Sequence, residues 1–274
     1  MTIFEALAAV KALGVDRLEA QLILLHAMGR PRAERSWLLA HDADALPPSI
    51  ESQFLELALR RKAGEPVAYL TGFIEFFGLD LQVDNRVLVP RPDTESLVEW
   101  AIECAPASGQ VIDLGTGSGA VALALKHARP DLNVSAVDFS ADALAVAQAN
   151  AQRLDIEVTF SRGSWLEQAV GRFDVIVSNP PYIAAQDIHL AALTHEPQQA
   201  LVSGADGLDD IRTIIQQAPA RLLPGGWLLL EHGYNQALRV RDLLNRAGFE
   251  AVQSKRDLSG IERCSGGKLV TINS

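Results

Sequence analysis

Cysteine is scarce: Cys104 and Cys264 are the two in 274 residues, far apart and outside any CxxC or Cys/His cluster. That excludes a disulfide scaffold and a zinc finger, and leaves both thiols as small packing residues. Basic charge is short as well, since 24 Lys and Arg face 34 Asp and Glu, for a net charge of −10. A chain of that balance has no overall attraction to phosphates, which argues against coating nucleic acid as its main task. No apolar run reaches membrane-spanning length, so no membrane role is expected. The first thirteen residues carry Glu5 and Lys11 in an amphipathic pattern, without the basic and apolar regions of a secretory signal. A soluble, cytoplasmic protein is expected. What the chain does have is a hydrophobic content of 48%, enough for one large domain or a large plus a small one.

The character of the sequence changes twice. Up to residue 66 it reads as short helices, with Ile3, Leu7 and Val10, then Leu18, Leu22 and Leu25, then Ile50, Phe54 and Leu57 at helical spacing. Gly14, Gly29 and Gly64 close these runs, and the one tight basic run, Arg60-Arg61-Lys62, reads as a solvated helix face. Residues 67–89 are rich in β-branched and aromatic side chains broken by Gly72, Gly78 and Asp84-Asn85, which predicts a hairpin linking two domains. From residue 90 to 274 apolar strands alternate with helices. Strands are expected at Val111-Ile112, Val134 to Asp138, Glu157 to Phe160, Phe173 to Ser178 and Trp227 to Glu231, with a closing pair near Phe249 and Leu269 to Ile272. Helices are expected over Ala120 to Ala128 and after Ser140 as N-cap. This alternation predicts an α/β domain with a doubly wound, mostly parallel sheet, whose ligands bind at the carboxyl ends of the strands.

Two constellations fall at such ends. Asp113-Leu114 leads into Gly115-Thr116-Gly117-Ser118-Gly119, directly after a strand and opening a helix. Glycines there allow positive φ and a close approach of backbone to ligand. Asp138 ends the next strand, where a carboxylate can accept hydrogen bonds from both hydroxyls of a ribose. The pair points to an adenosine ligand without requiring a pyrophosphate. The second constellation, Ser178-Asn179-Pro180-Pro181-Tyr182, follows an apolar strand. Its prolines fix φ and supply carbonyls without amide donors, so the turn presents acceptors. The Asn179 side-chain oxygen and the Pro180 carbonyl can together accept both hydrogens of a planar amino group while the Tyr182 ring stacks on its face.

The two motifs together resemble the S-adenosylmethionine-dependent amino-methyltransferases. The wider set is similar to the HemK/PrmC family of peptide chain release factor glutamine methyltransferases: Val89-Pro90-Arg91-Pro92-Asp93-Thr94-Glu95, Asp206-Gly207-Leu208, Leu223-Pro224-Gly225-Gly226, Glu231-His232-Gly233 and Gln236. This resemblance spans nearly the whole chain. It implies a class I methyltransferase domain with a seven-stranded sheet, S-adenosylmethionine as cofactor, and methylation of the side-chain amide of the glutamine in the GGQ motif of class 1 peptide chain release factors. It further implies that Gly115 to Gly119, Asp138, Trp165 and Asn179 bind the cofactor, with Trp165 packing on adenine. Asn179, Pro180, Pro181 and Tyr182 are implied to hold the glutamine, with Asn179, Pro180 and Tyr182 catalytic. Arg91, Thr94 and Glu95 are expected to border the methionine end, although Asp93 or Thr94 can instead cap the next helix. His195-Glu196-Pro197 departs from the family's Phe-Glu-Pro, and His195 reads as a substituted loop residue.

Such a reaction is expected to need no metal, covalent intermediate or strong general base, and the N-terminal helices are expected to select the protein substrate. One rival is an adenine or cytosine amino-methyltransferase of nucleic acid, which flips out the same kind of planar amine; it needs a basic groove that the sequence does not offer. Another is an adenosine-binding module without catalysis, for which the Asn-Pro-Pro-Tyr turn has no use.

Overall fold

The N-terminal helices begin and end where local chemistry tells them to. In the computed structural model, which describes residues 1–257 and 259–270, Thr2 and Glu5 form a capping box at the start of α1 (Ile3–Ala12) and the Asp16 carboxylate caps α2 (Arg17–Ala27). Then come α3 (Arg35–Ala40), α4 (Pro48–Lys62) and α5 (Val67–Thr71). Gly14, Gly29 and Gly64 follow α1, α2 and α4 at φ +90°, +66° and +102°, the left-handed stop that glycine adopts without strain. Ile3, Ile23, Leu24, Leu25, Leu38 and Phe54 form the core of this unit. It comprises Met1–Phe73 together with Ala192–His195. Its basic run is satisfied internally, with Arg60 paired to Glu65 and Arg61 to Glu19.

The expected hairpin over 67–89 is narrower than its composition suggested. Val67–Thr71 is a helix, opened by Pro66 and closed by Gly72 at φ +78°, so proline and glycine punctuation outweighs the β propensity of Val67 and Tyr69. The hairpin itself is β1 (Phe73–Phe76) and β2 (Leu79–Gln82), and the chain from Val83 to Arg91 is irregular.

The second unit, Ile74–Ala191 and Glu196 onward, continues with α6 (Glu95–Cys104), β3 (Gln110–Leu114), α7 (Ala120–Ala128), β4 (Asn133–Asp138), α8 (Ala141–Leu154), β5 (Thr159–Arg162) and β6 (Phe173–Ser178). It closes with α9 (Asp209–Arg221), β7 (Leu222–Glu231), α10 (Ala237–Arg246), β8 (Phe249–Arg256) and β9 (Glu262–Leu269). Among the described residues the sheet has seven strands in the order β5-β4-β3-β6-β7-β9-β8, parallel except that β9 runs antiparallel to β7 and β8. This is the expected doubly wound, mostly parallel arrangement. Helices cover both faces, and the strands alternate accordingly. Val111, Val175, Val177 and Leu229 pack with α6 and α7, while Ile112, Leu114, Ile176, Leu228 and Leu230 pack with α9 and α10.

The closing strand lies earlier than the apolar residues predicted. β9 runs through Ser265, Gly266 and Gly267, where a Cβ on Gly266 would sit 2.6 Å from the Leu228 carbonyl oxygen. Close passage against β7 selects small residues, and those carry no apolar signal. Residues 271–272, part of that expectation, lie outside the described residues. No described helix is long and apolar enough to cross a membrane.

Candidate active site

The chain leaves β3 toward β4 and β5 on one side and later returns to pair β6 on the other, which makes the gap beyond the β3 and β6 carboxyl ends a switch point. Register aligns these ends closely. Leu114 pairs with Val137 and with Ser178, and Ser178 pairs with Leu230. The next residue on each strand therefore falls in one row: Gly115, Asp138, Asn179 and Glu231.

The glycine turn holds itself in shape. Gly115 and Thr116 donate backbone N–H bonds to the Val137 carbonyl at 2.8 and 3.1 Å, and Gly117 donates to Asp138 Oδ2 at 2.8 Å. The Thr116 hydroxyl donates to Asp113 Oδ2 at 2.6 Å beneath the turn. Asp113 is fully buried, and desolvation pushes its carboxyl up to about 7 although Thr116 and the Ala122 N–H pull the other way. Gly115, Gly117 and Gly119 all have positive φ. A Cβ on Gly119 would meet Leu123 and Ala147 at 3.1 and 3.2 Å, so glycine also lets α7 pack tightly against α8.

Over this turn lies a cavity of about 260 Å³, lined in part by Gly115, Gly117, Asp138, Trp165, Asn179 and Pro181. Trp165 sits at φ +51°, an uncommon backbone state for a bulky residue, and a Cβ on Gly115 would come within 3.2 Å of its ring. Asp138 accepts from Gly117 and, through Oδ1, from the Ser140 N–H at 2.8 Å. Each of its oxygens keeps a second lone pair for a ligand hydroxyl. Burial raises its pKa against those two backbone bonds. A carboxylate with spare acceptors, a flat indole wall and a floor of bare glycine backbone suit an adenosine cofactor.

The other sequence-selected residues do not line that cavity. Thr116 and Ser118 are buried, Thr116 on Asp113 and Ser118 offering its carbonyl to the Asn150 amide at 3.0 Å. Pro180 is buried within its turn. Tyr182 lines a neighbouring cavity of about 350 Å³ with Tyr234, Gln236, Arg239 and Arg263. Its hydroxyl lies 3.5 Å from Glu231 Oε1, and burial, followed by the Glu231 charge, raises its pKa.

Asn179 and Thr94 meet where the sequence left a choice. The Asn179 amide nitrogen donates to Thr94 Oγ1 at 3.2 Å, and no side chain caps α6, so Thr94 serves the turn rather than the helix. Asn179 Oδ1 is buried and has no partner. Glu95 faces elsewhere, accepting from the Phe77 N–H at 3.0 Å, while Arg91 pairs with Glu196. Glu196, 5% exposed, also accepts from the Val89 N–H at 3.0 Å and so clamps the segment preceding Thr94. His195 lies in the N-terminal unit, its Nε2 3.4 Å from the Ala63 carbonyl oxygen. Gln236 braces the Asn-Pro-Pro-Tyr turn from behind, donating to the Tyr182 carbonyl at 3.0 Å while its oxygen accepts from Gly233 at 2.8 Å.

Glu231 entered the sequence reading in Glu231-His232-Gly233 without a role of its own. It is 2% exposed, its Oε2 has no partner, and desolvation raises its carboxyl to about 7 while the Thr94 hydroxyl bond opposes that rise. The signal existed: Leu228-Leu229-Leu230 runs into a carboxylate, as the strand Val134 to Val137 runs into Asp138. Among the described residues no group of three His, Cys, Asp or Glu side chains is placed to hold a metal ion.

Two family models match the chain. Residues 4–72 match the PrmC N-terminal domain and residues 93–206 the Methyltransferase small domain. A relative from Bordetella pertussis, named Release factor glutamine methyltransferase, is 51% identical over 262 residues, covering 93% of this chain and 96% of its own. The chain belongs to the release factor glutamine methyltransferase family. Another member of that family, from Burkholderia pseudomallei, is 46% identical over 95% of this chain and 94% of its own. At the level of fold, a Pyrococcus furiosus methyltransferase superposes with a TM-score of 0.57 at 20% identity, over 80% of this chain and 99% of its own.

Proposed function

We propose that this release factor glutamine methyltransferase family member moves a methyl group from S-adenosylmethionine to the side-chain amide nitrogen of the GGQ glutamine in class 1 peptide chain release factors. The observation that supports it most is the buried, unpartnered Asn179 Oδ1 beside the cavity of the glycine turn. An acceptor kept dry and unpaired costs stability unless a donor arrives, and the amide of a glutamine is such a donor.

An amide nitrogen is a poor nucleophile because its lone pair is delocalised into the carbonyl, so most of the work is positioning. S-adenosylmethionine, when bound, supplies an electrophilic methyl on a sulfonium, the N–C bond forming as the S–C bond breaks with its electron pair passing to sulfur. Asp138, Trp165 and the backbone of Gly115 and Gly117 hold the adenosine part. Asn179 Oδ1 and the Pro180 carbonyl accept the two amide hydrogens, and these bonds strengthen as nitrogen gains positive character, lowering the barrier more than the ground state. Holding the nitrogen in line is worth roughly 7–11 kcal/mol relative to free encounter. Tyr182 closes one side of the amide. One N–H proton then passes to water.

The N-terminal unit selects the protein substrate in this account, and the enzyme works in the cytoplasm. A chain truncated to begin at Ile74 is expected to bind S-adenosylmethionine yet methylate intact release factor poorly. The activity itself is tested by incubating the protein with S-adenosylmethionine and release factor, tRNA or duplex DNA, and mapping the methyl group. One methyl on the side-chain nitrogen of a release factor glutamine is expected. A methyl on an adenine or cytosine amine, with none on protein, contradicts the proposal.

A further inference from the structure

Resting on the reading just given, we propose that Gln236 is a positioning residue for methyl transfer: its side-chain amide, held between three loops, fixes the Tyr182 carbonyl and with it the turn that receives the substrate amide. Three sequence motifs without chemistry of their own meet there, Asp206-Gly207-Leu208, Glu231-His232-Gly233 and Gln236. Gln236 is 7% exposed and lines the cavity beside Tyr182.

The main chain decides which way this amide points. Gln236 Oε1 accepts from the Gly233 N–H at 2.8 Å, and Nε2 donates to the carbonyls of Tyr182 at 3.0 Å and Gly207 at 3.4 Å. Reversed, the amide would set NH2 against N–H and its oxygen against two carbonyls, so one orientation satisfies all three loops. Gly233 is anchored in turn. The His232 ring donates from Nδ1 to the Gly233 carbonyl at 2.9 Å, which leaves Nε2 to accept from the Ser265 hydroxyl on β9 at 2.7 Å. The junction has no room for a side chain at Gly207, where a Cβ would lie 2.3 Å from the Tyr182 oxygen and 2.8 Å from Gln236 Nε2.

The Asn-Pro-Pro-Tyr turn needs such a hold. Ahead of it, the Ser178 hydroxyl donates to the Leu114 carbonyl at 2.7 Å. Behind it, the Ile183 N–H donates to the Leu201 carbonyl and the Ile183 carbonyl accepts from the Ser203 N–H, each at 2.9 Å. Between those anchors Pro180 and Pro181 have no N–H to give. Gln236 secures the far end of that span, on Tyr182 itself and three residues from Asn179. A Tyr182 carbonyl that swings carries the ring and the Pro180 acceptor with it, and a displacement of about 1 Å at a reacting group can cost a hundredfold in rate.

The test compares Gln236→Glu with Gln236→Met in the full chain, as single-turnover rates at saturating S-adenosylmethionine and release factor, each relative to the parent at the same pH. An ionised glutamate keeps the shape and the acceptor for Gly233 but has no hydrogen to give Tyr182 or Gly207; protonated, it regains one donor. Burial raises the pKa of a carboxyl placed there. At about pH 8 both variants are expected to be slower than the parent by about tenfold, the loss associated with one buried hydrogen bond. Towards about pH 6 the glutamate variant should recover several-fold relative to the parent as its carboxyl takes up a proton, while the methionine variant, which does not titrate, should not. Asp187, His189, Asp206, Arg239 and Arg263 share the cavity and are the same in all three proteins, so the ratio isolates position 236. S-adenosylmethionine affinity by calorimetry should stay at the parent's value, and KM for release factor should move by less than the rate does.

Gln236→Met at the parent rate, a glutamate-to-parent ratio that is flat with pH, or a loss of cofactor affinity as large as the loss of rate overturns the positioning role and leaves the glutamine reading standing. If Gln236→Glu does not fold, the rate and affinity of Gln236→Met decide alone. Failure of the parent enzyme to methylate glutamine, or full activity of Asn179→Ala, defeats the underlying reading instead.

Discussion

The turn after β3 and the turn after β6 leave adjacent strands at the same level, yet they are satisfied in opposite ways. The glycine turn spends its hydrogen bonds on itself: Gly115 and Thr116 on Val137, Gly117 on Asp138, the Thr116 hydroxyl on Asp113. The Asn-Pro-Pro-Tyr turn has two prolines that cannot donate and a side-chain oxygen left without a partner. One loop is complete before any ligand arrives, and its glycines make room. The other is incomplete until a donor reaches it. A rigid cradle suits a cofactor that must be gripped the same way each time, and an unsatisfied acceptor suits a group whose charge changes during reaction.

The largest break in this contrast is expected on the unsatisfied side. Asn179→Ala removes one preorganised acceptor, and by analogy with losing an oxyanion-hole donor the cost is about 2.7–4 kcal/mol in single-turnover rate, a hundredfold or more. On the self-satisfied side, Asp138→Ala is expected to weaken S-adenosylmethionine binding by about 1.5–3 kcal/mol in calorimetry. Gly115→Ala comes next. It forces a side chain into a left-handed position at roughly 1–2 kcal/mol and pushes on the Trp165 ring, so affinity and thermal stability should fall together.

A pH dependence is expected as well. Asp113 holds its proton up to about 7 rather than the ordinary 3.8, so the native state keeps a proton that the unfolded chain releases in between. Its contribution to stability therefore falls as pH rises from about 4 to about 7, and is flat above that. Glu231, raised to about 7, contributes with the same sign. Asp113→Asn should flatten, without abolishing, the decline of the urea midpoint across that window, measured without cofactor. A slope equal to the parent's would show that Asp113 is ionised in the folded protein.

What the sequence revealed and what it hid follow from the range of the interactions. The glycine turn, the Ser140 cap on α8 and the stops at Gly14, Gly29 and Gly64 are decided by neighbours within a few residues, and all were readable. The helix at Val67–Thr71 was obscured because its own residues favour strand while Pro66 and Gly72 bracket a turn of helix. Strand β9 was misplaced because its small residues answer to Leu228 across the sheet rather than to a local pattern. Thr94 had two local roles open to it, capping or bordering the site, and only its distance to Asn179, 85 positions along the chain, chooses. Glu231 stood in the motif Glu231-His232-Gly233 with no role attached. Its meaning comes from the register that pairs Ser178 with Leu230.

If the first turn holds the cofactor and the second works on the amide, a crossed measurement on Asp138→Ala and Asn179→Ala separates the two roles. S-adenosylmethionine affinity by calorimetry and single-turnover methylation of release factor are measured for both variants, with folding checked by circular dichroism. Asp138→Ala should lose affinity, and most of its rate deficit should disappear as cofactor is raised to saturation. Asn179→Ala should stay slow by a hundredfold or more at any cofactor concentration. If saturating cofactor restores Asn179→Ala to the parent rate, both turns serve only to bind the cofactor and the assignment of amide chemistry to Asn179 is contradicted.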